Sequence, residues 1–289
     1  MPTTLQSPFL SDSWLKNCGA KGFVFKDVCA LANSSLKGIP ATITPPWALD
    51  CGLTLNNDVE KNYKSFTLGL SKLKSPIIVV DLPPVCENSK GVSSAIVKQN
   101  TPSCFRVQWR HTRILDIPSK LPSNRRKQLN KAEREGISCE VVESWGNVHE
   151  LHDISRNRKG LANDSSQLKT LLDAVASEDN SFAVEAKDSD GNCIASGGFI
   201  MVSDHRCLYT FGGQKRGANS AIASVAMLGL AMKEAQDRGA TEFDFGGSAD
   251  PGVDRFYKEF GARSVPKARL VKVAWWLKPV LRVVRPDLF

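Results

Sequence analysis

Apolar positions recur along the chain with two periods, and each change of period marks a new element. Over residues 58–73, Tyr63, Phe66, Leu70 and Leu73 fall at spacings of three and four, which predicts an amphipathic helix. The run PIIVVDL at 76–82 predicts a short buried strand, and 104–117 (CFRVQWRHTRILDI) alternates as a long one. Residues 23–32 read as a strand, 38–53 as a loop rich in Pro and Gly, and 88–103 as polar and irregular.

The two prolines of IPSKLPSN (117–124) stop the preceding strand. Ser123 or Asn124 is placed to cap a helix over 125–135 that Gly136 ends. A strand at 137–143 and two helices, 147–159 and 164–177, come next. Strands at 182–187 and 192–202 flank Asp190-Gly191, a hairpin signal, with Gly197-Gly198 as a bulge. A tight turn at 203–205 leads to a strand at 206–211, the loop GGQKRGAN (212–219) and a helix at 220–238. That helix begins apolar on nearly all sides and ends polar, the pattern of a crossover helix on a sheet. A strand at 241–245, a short helix near 254–260 and a strand at 264–275 complete the series, the last expected to finish the second sheet.

Composition narrows the class. With 289 residues, 42% hydrophobic and 24% charged, the chain is an ordinary globular protein of one large or two small domains. It contains no apolar run near the ~20 residues of a membrane span. Its first residues lack a basic region followed by an apolar one, which predicts no signal peptide and a cytoplasmic location. The eight cysteines are scattered without a CxxC pair, so reduced, mostly buried thiols are expected and no metal site. The net charge of +8 is uneven: residues 106–134 hold nine basic and two acidic side chains, and 263–289 hold seven and one. Two such segments read either as solvated faces or as contacts for an anionic partner.

The loop before the 220–238 helix carries the candidate chemistry. Unpaired amides at a helix N-terminus and the positive end of its dipole favour an anion. Gln214, Lys215, Arg216, Gly217, Ala218, Asn219 and Ser220 add two cations, and Gly217 and Ala218 leave the backbone open to a pyrophosphate. The loop is neither Walker A nor GxGxxG.

The stretch QKRGANSAIASVAMLGLAMKEAQDRGATEFDFGG, with FYKEFGA further on, resembles the GNAT acyltransferase superfamily. That family's phosphate loop reads Gln/Arg-x-x-Gly-x-Gly/Ala. Gln214 and Gly217 match it, and Asn219 departs from it while remaining able to cap the helix. A closing Tyr-x-x-x-Gly corresponds to Tyr257 and Gly261. The resemblance implies that this phenol lies near a thioester sulfur and protonates the leaving thiolate, a pairing that suits a pKa near ~10. Thr44-Pro45-Pro46 with Gly52, the segment 121–141 and the segment 244–262 resemble the FemAB-like, acetyltransferase-like bacterial branch. That branch implies an α+β fold of two tandem GNAT-like domains, each a mixed, mostly antiparallel sheet flanked by helices. Residues 1–120 would form a degenerate first domain, and 121–289 a second that keeps the donor loop.

The expected activity is N-acyl transfer from acetyl-CoA or another acyl-CoA thioester to an amine. Tyr257 and Asp244 would serve as catalytic groups, and amides of 192–200 would polarise the carbonyl. The alternative is aminoacyl transfer from aminoacyl-tRNA to a peptidoglycan precursor or peptide-like acceptor. Members that use tRNA typically carry Phe-Lys in the closing segment; here Tyr257 takes that Lys place and Lys258 follows one residue, or ~100° of helix, later. A catalytically inactive binding protein is a third reading. Arg126, among cations that oppose a helix dipole, and Trp109, on a basic strand, are candidate substrate contacts. His149 and His152 lie three apart on a helix without a third metal ligand, and Asn163-Asp164-Ser165 matches a glycosylation sequon only formally. The C-terminal 271–289 reads as a tail packed on the first half or as a basic, aromatic contact for a membrane surface.

Overall fold

The protein is described by a computed structural model that covers residues 7–25, 28–55, 58–85, 92–161, 164–203, 205–247 and 250–289. Parts of the expected 23–32 strand, 88–103 irregular segment and 203–205 turn, and Asn163 of the sequon, lie outside these residues.

In chain order come α1 (Asp12–Asn17), β1 (Phe23–Val24), β2 (Leu31–Leu36), β3 (Ile39–Ile43), α2 (Val59–Ser71), β4 (Ile77–Pro84) and α3 (Ser94–Asn100). Next are β5 (Arg106–Asp116), α4 (Ser123–Arg134), β6 (Ser138–Val142), α5 (Gly146–Arg158), α6 (Ser165–Ala176), β7 (Ser181–Lys187) and β8 (Cys193–Ser203). The chain ends with β9 (Arg206–Gln214), α7 (Ser220–Asp237), β10 (Glu242–Asp244), α8 (Pro251–Lys258), β11 (Arg263–Val273) and α9 (Lys278–Val284). The fold is α+β, mixed sheets flanked by helices, as the sequence predicts.

The chain forms two compact units. The first is Phe9–His111 with Val265–Phe289, and the second is Thr112–Ser264 with the N-terminal residues through Pro8. The expected division at 120/121 differs from these units at both ends: 112–120 belongs with the second unit, and 265–289 returns to the first. Within the first unit β2 pairs antiparallel with β3, β3 runs parallel to β4, and β11 pairs antiparallel with β4 from Lys267 to Val273. Within the second, β6 to β9 form an antiparallel meander, β9 runs parallel to β10, and β5 pairs antiparallel with β10. The 264–275 strand thus completes the first unit's sheet, a correction to the expected second. Each unit's sheet is closed by a strand from the other half of the sequence.

Each unit has its own apolar core. Leu31, Tyr63, Phe66, Leu70, Ile78, Val80 and Leu270 fill the first, so the three-four periodicity of α2 packs on β4. Phe182, Phe199, Val225, Leu228, Phe243 and Phe260 fill the second, with the apolar start of α7 buried as expected. β3 corrects the loop expected over 38–53: Pro40 sits near the start of the strand, before the parallel pairing begins at Ala41, where its missing N–H costs little. α3 corrects the irregular segment expected over 88–103; Ser93 caps it and Val97 is its buried anchor. α4 starts on Pro122 with no side-chain cap, so neither Ser123 nor Asn124 plays the expected role.

Candidate functional site in the second unit

Strands β9 and β10 pair for only three residues, 206–208 with 242–244. β9 then continues to Gln214, while β10 ends at Asp244 and Gly246 and Gly247, both with positive φ, turn the chain away. The parting strands open a cleft of about 400 Å³. Tyr209 and 212–214 of β9 line one wall, Ser224, Met227 and Leu228 of α7 another, and Val253, Phe256 and Tyr257 of α8 a third. The sequence reading ended this strand at 211 and assigned 212–214 to the loop, because paired glycines suggest a turn. Here they are bare for steric reasons. A Cβ on Gly212 would lie 2.0 Å from the Tyr209 hydroxyl, and one on Gly213 would lie 2.1 Å from the Leu151 carbonyl oxygen of α5.

The N-terminus of α7 faces this region with its amides uncapped by any side chain. Asn219 has helical backbone angles (φ −99°, ψ −1°) and makes no capping hydrogen bond, which corrects the expectation that it caps. A capping side chain needs an extended residue at that position, and this one is already wound into the helix. Lys215 is pinned by its amide to the Ile194 carbonyl, 2.9 Å away. Arg216, Gly217 and Ala218 are exposed, and a Cβ on Gly217 would meet only Ser220 Oγ, at 3.5 Å. The Gln214 side chain accepts a hydrogen bond from Ser224 Oγ, which ties the strand end to the second turn of α7. Arg158 and Lys159, from the end of α5, also reach the cleft. Lys159 pairs with Asp250 at 2.9 Å, while Arg158 has no ion-pair partner among the described residues.

Tyr257 sits on the buried face of α8, a short helix started by Pro251 and capped by Asp250. Its ring stacks on Phe245 at 4.8 Å and meets Tyr209 edge-on at 6.4 Å. Neither phenol hydroxyl hydrogen-bonds to a described residue. Burial, with smaller contributions from Tyr209 and Asp250, holds the Tyr257 phenol well above its usual pKa, and burial raises Tyr209 as well. Both phenols are therefore neutral hydrogen-bond donors at physiological pH, and weaker acids than the value near ~10 read from the sequence.

The other sequence candidates lie elsewhere. Lys258 is exposed and does not line the cleft, as one step of helix rotation dictates. Asp244 is buried at the end of β10, where it accepts from Thr112 Oγ1 and from the Gly246 amide, and it does not line the cleft. Arg126 is exposed on α4, and the buried cation is its neighbour Arg125. The Arg125 guanidinium lies 4.3 Å and 4.5 Å from the ring centroids of Phe256 and Phe260, donates to the Phe256 carbonyl at 2.7 Å and approaches Glu259 at 3.2 Å. It braces the helix that carries Tyr257. Trp109 belongs to the first unit, exposed, with Lys98 Nζ 5.9 Å from its ring centroid. The amides of β8 are committed to β7 on one side and β9 on the other, so the expected carbonyl-polarising role does not fit them. The free strand edge facing the cleft is that of β9 beyond Leu208.

His149 and His152 point to different partners, Ser165 and the Gly212 carbonyl, and burial lowers the His152 pKa. Among the described residues no group of three His, Cys, Asp or Glu is placed to hold a metal. The seven described cysteines are free thiols, four of them buried. The sequence reading missed Tyr209, Arg158 and Lys159. Tyr209 had a usable signal, a lone tyrosine on the strand that feeds the glycine loop; the two cations had none beyond their place at a helix end.

No protein-family model and no curated protein sequence matches the chain. Among solved structures it is similar to FemX, with a TM-score of 0.65 at 14% identity over 96% of this chain and 94% of FemX. It is similar also to L-PGS from Bacillus licheniformis, with a TM-score of 0.60 at 14% identity over 95% and 90% of the two chains. A DUF2156 domain from Agrobacterium fabrum gives 0.59 at 11% identity over 92% and 90%. At such identities the likeness is one of fold. The chain shares the overall fold of FemX and L-PGS.

Proposed function

We propose that the second unit transfers an acyl group from a CoA-type thioester to an amine. The observation that carries this reading is the uncapped N-terminus of α7, flanked by Lys215 and Arg216, beside a cleft lined by two neutral phenols, Tyr257 buried and Tyr209 half-buried. Uncapped amides, a helix dipole and free cations suit the phosphates of such a donor. The exposed Gly217 leaves room for them, because among the described residues a Cβ there would meet only Ser220 Oγ, at 3.5 Å.

The chemistry follows from the lining residues. The neutral amine attacks the thioester carbonyl carbon and forms the C–N bond. Amides on the β9 edge beyond Leu208 hydrogen-bond the developing oxyanion. The C–S bond breaks as the Tyr257 hydroxyl, beside Tyr209, gives its proton to the departing sulfur, and water returns a proton to the phenolate. The described residues lining the cleft include no carboxylate or imidazole, so the proton lost by the amine passes to water. Arg125 acts at one remove, by fixing α8.

Release of free thiol from acetyl-CoA in the presence of a panel of primary amines tests this reading. Tyr257→Phe is expected to lower the rate by about 100-fold or more while the protein stays folded. An unchanged rate would refute the role of Tyr257, and absence of transfer to every amine would refute the activity.

A second reading, aminoacyl transfer from aminoacyl-tRNA to a peptide-like acceptor, draws support from the folds of FemX and L-PGS and from the basic stretch 106–134. Under it, binding of charged tRNA weakens steeply with salt and CoA does not compete.

A further inference from the structure

The C-terminal segment is apolar on two opposite sides. Leu277, Leu281 and Leu288 point inward and pack with Ala41, Ile77, Val79 and Val271 of the first unit, so the segment is anchored as the sequence reading expected of a docked tail. Its other side is open. Trp275 is 81% exposed, Trp276 57%, Val280 57% and Val283 80%. Five of the eleven large hydrophobic residues exposed among the described positions fall within 275–284, which makes this a patch rather than scatter. α9 has Pro279 in its first turn and ends ahead of Pro286, and its 7 residues are too few to span a bilayer.

The charges of this segment are positive. Lys278 and Arg282 are exposed between the apolar residues, and the single acid, Asp287, is neutralised by Arg285 at 2.8 Å. We propose that residues 275–289 dock the protein on the surface of an anionic lipid membrane. Paired tryptophans suit the boundary between headgroups and acyl chains, and the interleaved cations suit lipid phosphates. A second copy of a chain with net charge +8 would bring like charges together at this patch. The inference is independent of the reaction assigned to the second unit.

The test is flotation of the full chain with vesicles of equal parts phosphatidylglycerol and phosphatidylcholine, against vesicles of phosphatidylcholine alone. The protein should float with the first and at least about tenfold less with the second, since each cation contributes about fivefold. Trp275→Ser with Trp276→Ser, and separately Lys278→Glu with Arg282→Glu, should each reduce binding by about tenfold or more at unchanged melting temperature, because all four side chains are exposed. Absence of flotation, or flotation of either variant at the level of the unaltered protein, would overturn the proposal. So would a dimer in sedimentation that the tryptophan variant dissolves while vesicle binding is absent, since a second copy would then own the patch.

Discussion

Both units contain a parallel pair of strands followed by an antiparallel neighbour, β3–β4–β11 in the first and β9–β10–β5 in the second. They part company just beyond the parallel pair. In the first unit the chain after β3 folds back into the gap: the Thr44 amide donates to Val79, Thr44 Oγ1 accepts from the Asp81 amide, and the Cys51 amide donates to the Asp81 carbonyl. In the second unit β9 runs on past the end of β10 and the gap stays open. The helices repeat the contrast. Asp58 caps α2 by accepting from the Lys61 amide at 3.0 Å, which places a negative charge where an anion would sit. α7 has no such cap and is preceded by two cations. The same strand arrangement therefore makes a filled gap in one unit and an open cleft in the other, and a few side chains and one loop decide which.

The largest stability effect that sharpens this comparison is at Gly213. Its missing Cβ admits the Leu151 carbonyl, so Gly213→Ala should cost about 2 kcal/mol in denaturant unfolding. Gly217→Ala, with open space around it, should leave stability unchanged. A comparable loss at both sites would mean that the exposed loop, too, is a packing device.

The helix caps give a smaller effect with opposite expectations in the two units. Asp58→Ala should destabilise by about 1 kcal/mol, the cost of a lost N-cap. Asn219→Ala should have almost no effect on stability, because Asn219 does not cap. Equal losses would break the contrast between the sealed and open helix ends.

The smallest effect at neutral pH concerns the three tyrosines. Burial raises all three: Tyr63 of the first unit, hydrogen-bonded to Thr101 at 2.8 Å, is pushed up to about 12, and Tyr209 and Tyr257 are raised as well. A folded-state pKa above the unfolded value gives stability that is fully present below about pH 10 and is lost as pH rises through the folded values. Ultraviolet titration of the folded protein should show no phenolate at pH 10, with alkaline unfolding above it. One equivalent of phenolate by pH 10 would contradict the burial of at least one ring.

Much of the second unit was legible because its signals are local. The Asp190-Gly191 hairpin and the apolar first turns of α7 each depend on a few neighbouring residues. The exchange of β5 and β11 was not legible, since strand pairing is chosen by partners far away in sequence and both strands alternate well enough for either sheet. β3 was hidden by Pro40, and the sealing role of 44–51 is visible only once β4 lies beside it. At the site, the step from Arg126 to Arg125 is one residue of helix, which sequence alone cannot resolve without knowing where Phe256 and Phe260 lie.

Under the proposed function, the open end of α7 receives the phosphates of an acyl donor. Calorimetric titration with CoA, on the full chain and on Gly217→Glu, tests it most directly. The unaltered protein should bind saturably, Gly217→Glu should lose that binding at unchanged melting temperature, and Asp58→Ala should retain it in full. Binding that survives Gly217→Glu, or no heat from CoA at millimolar concentration, would contradict it.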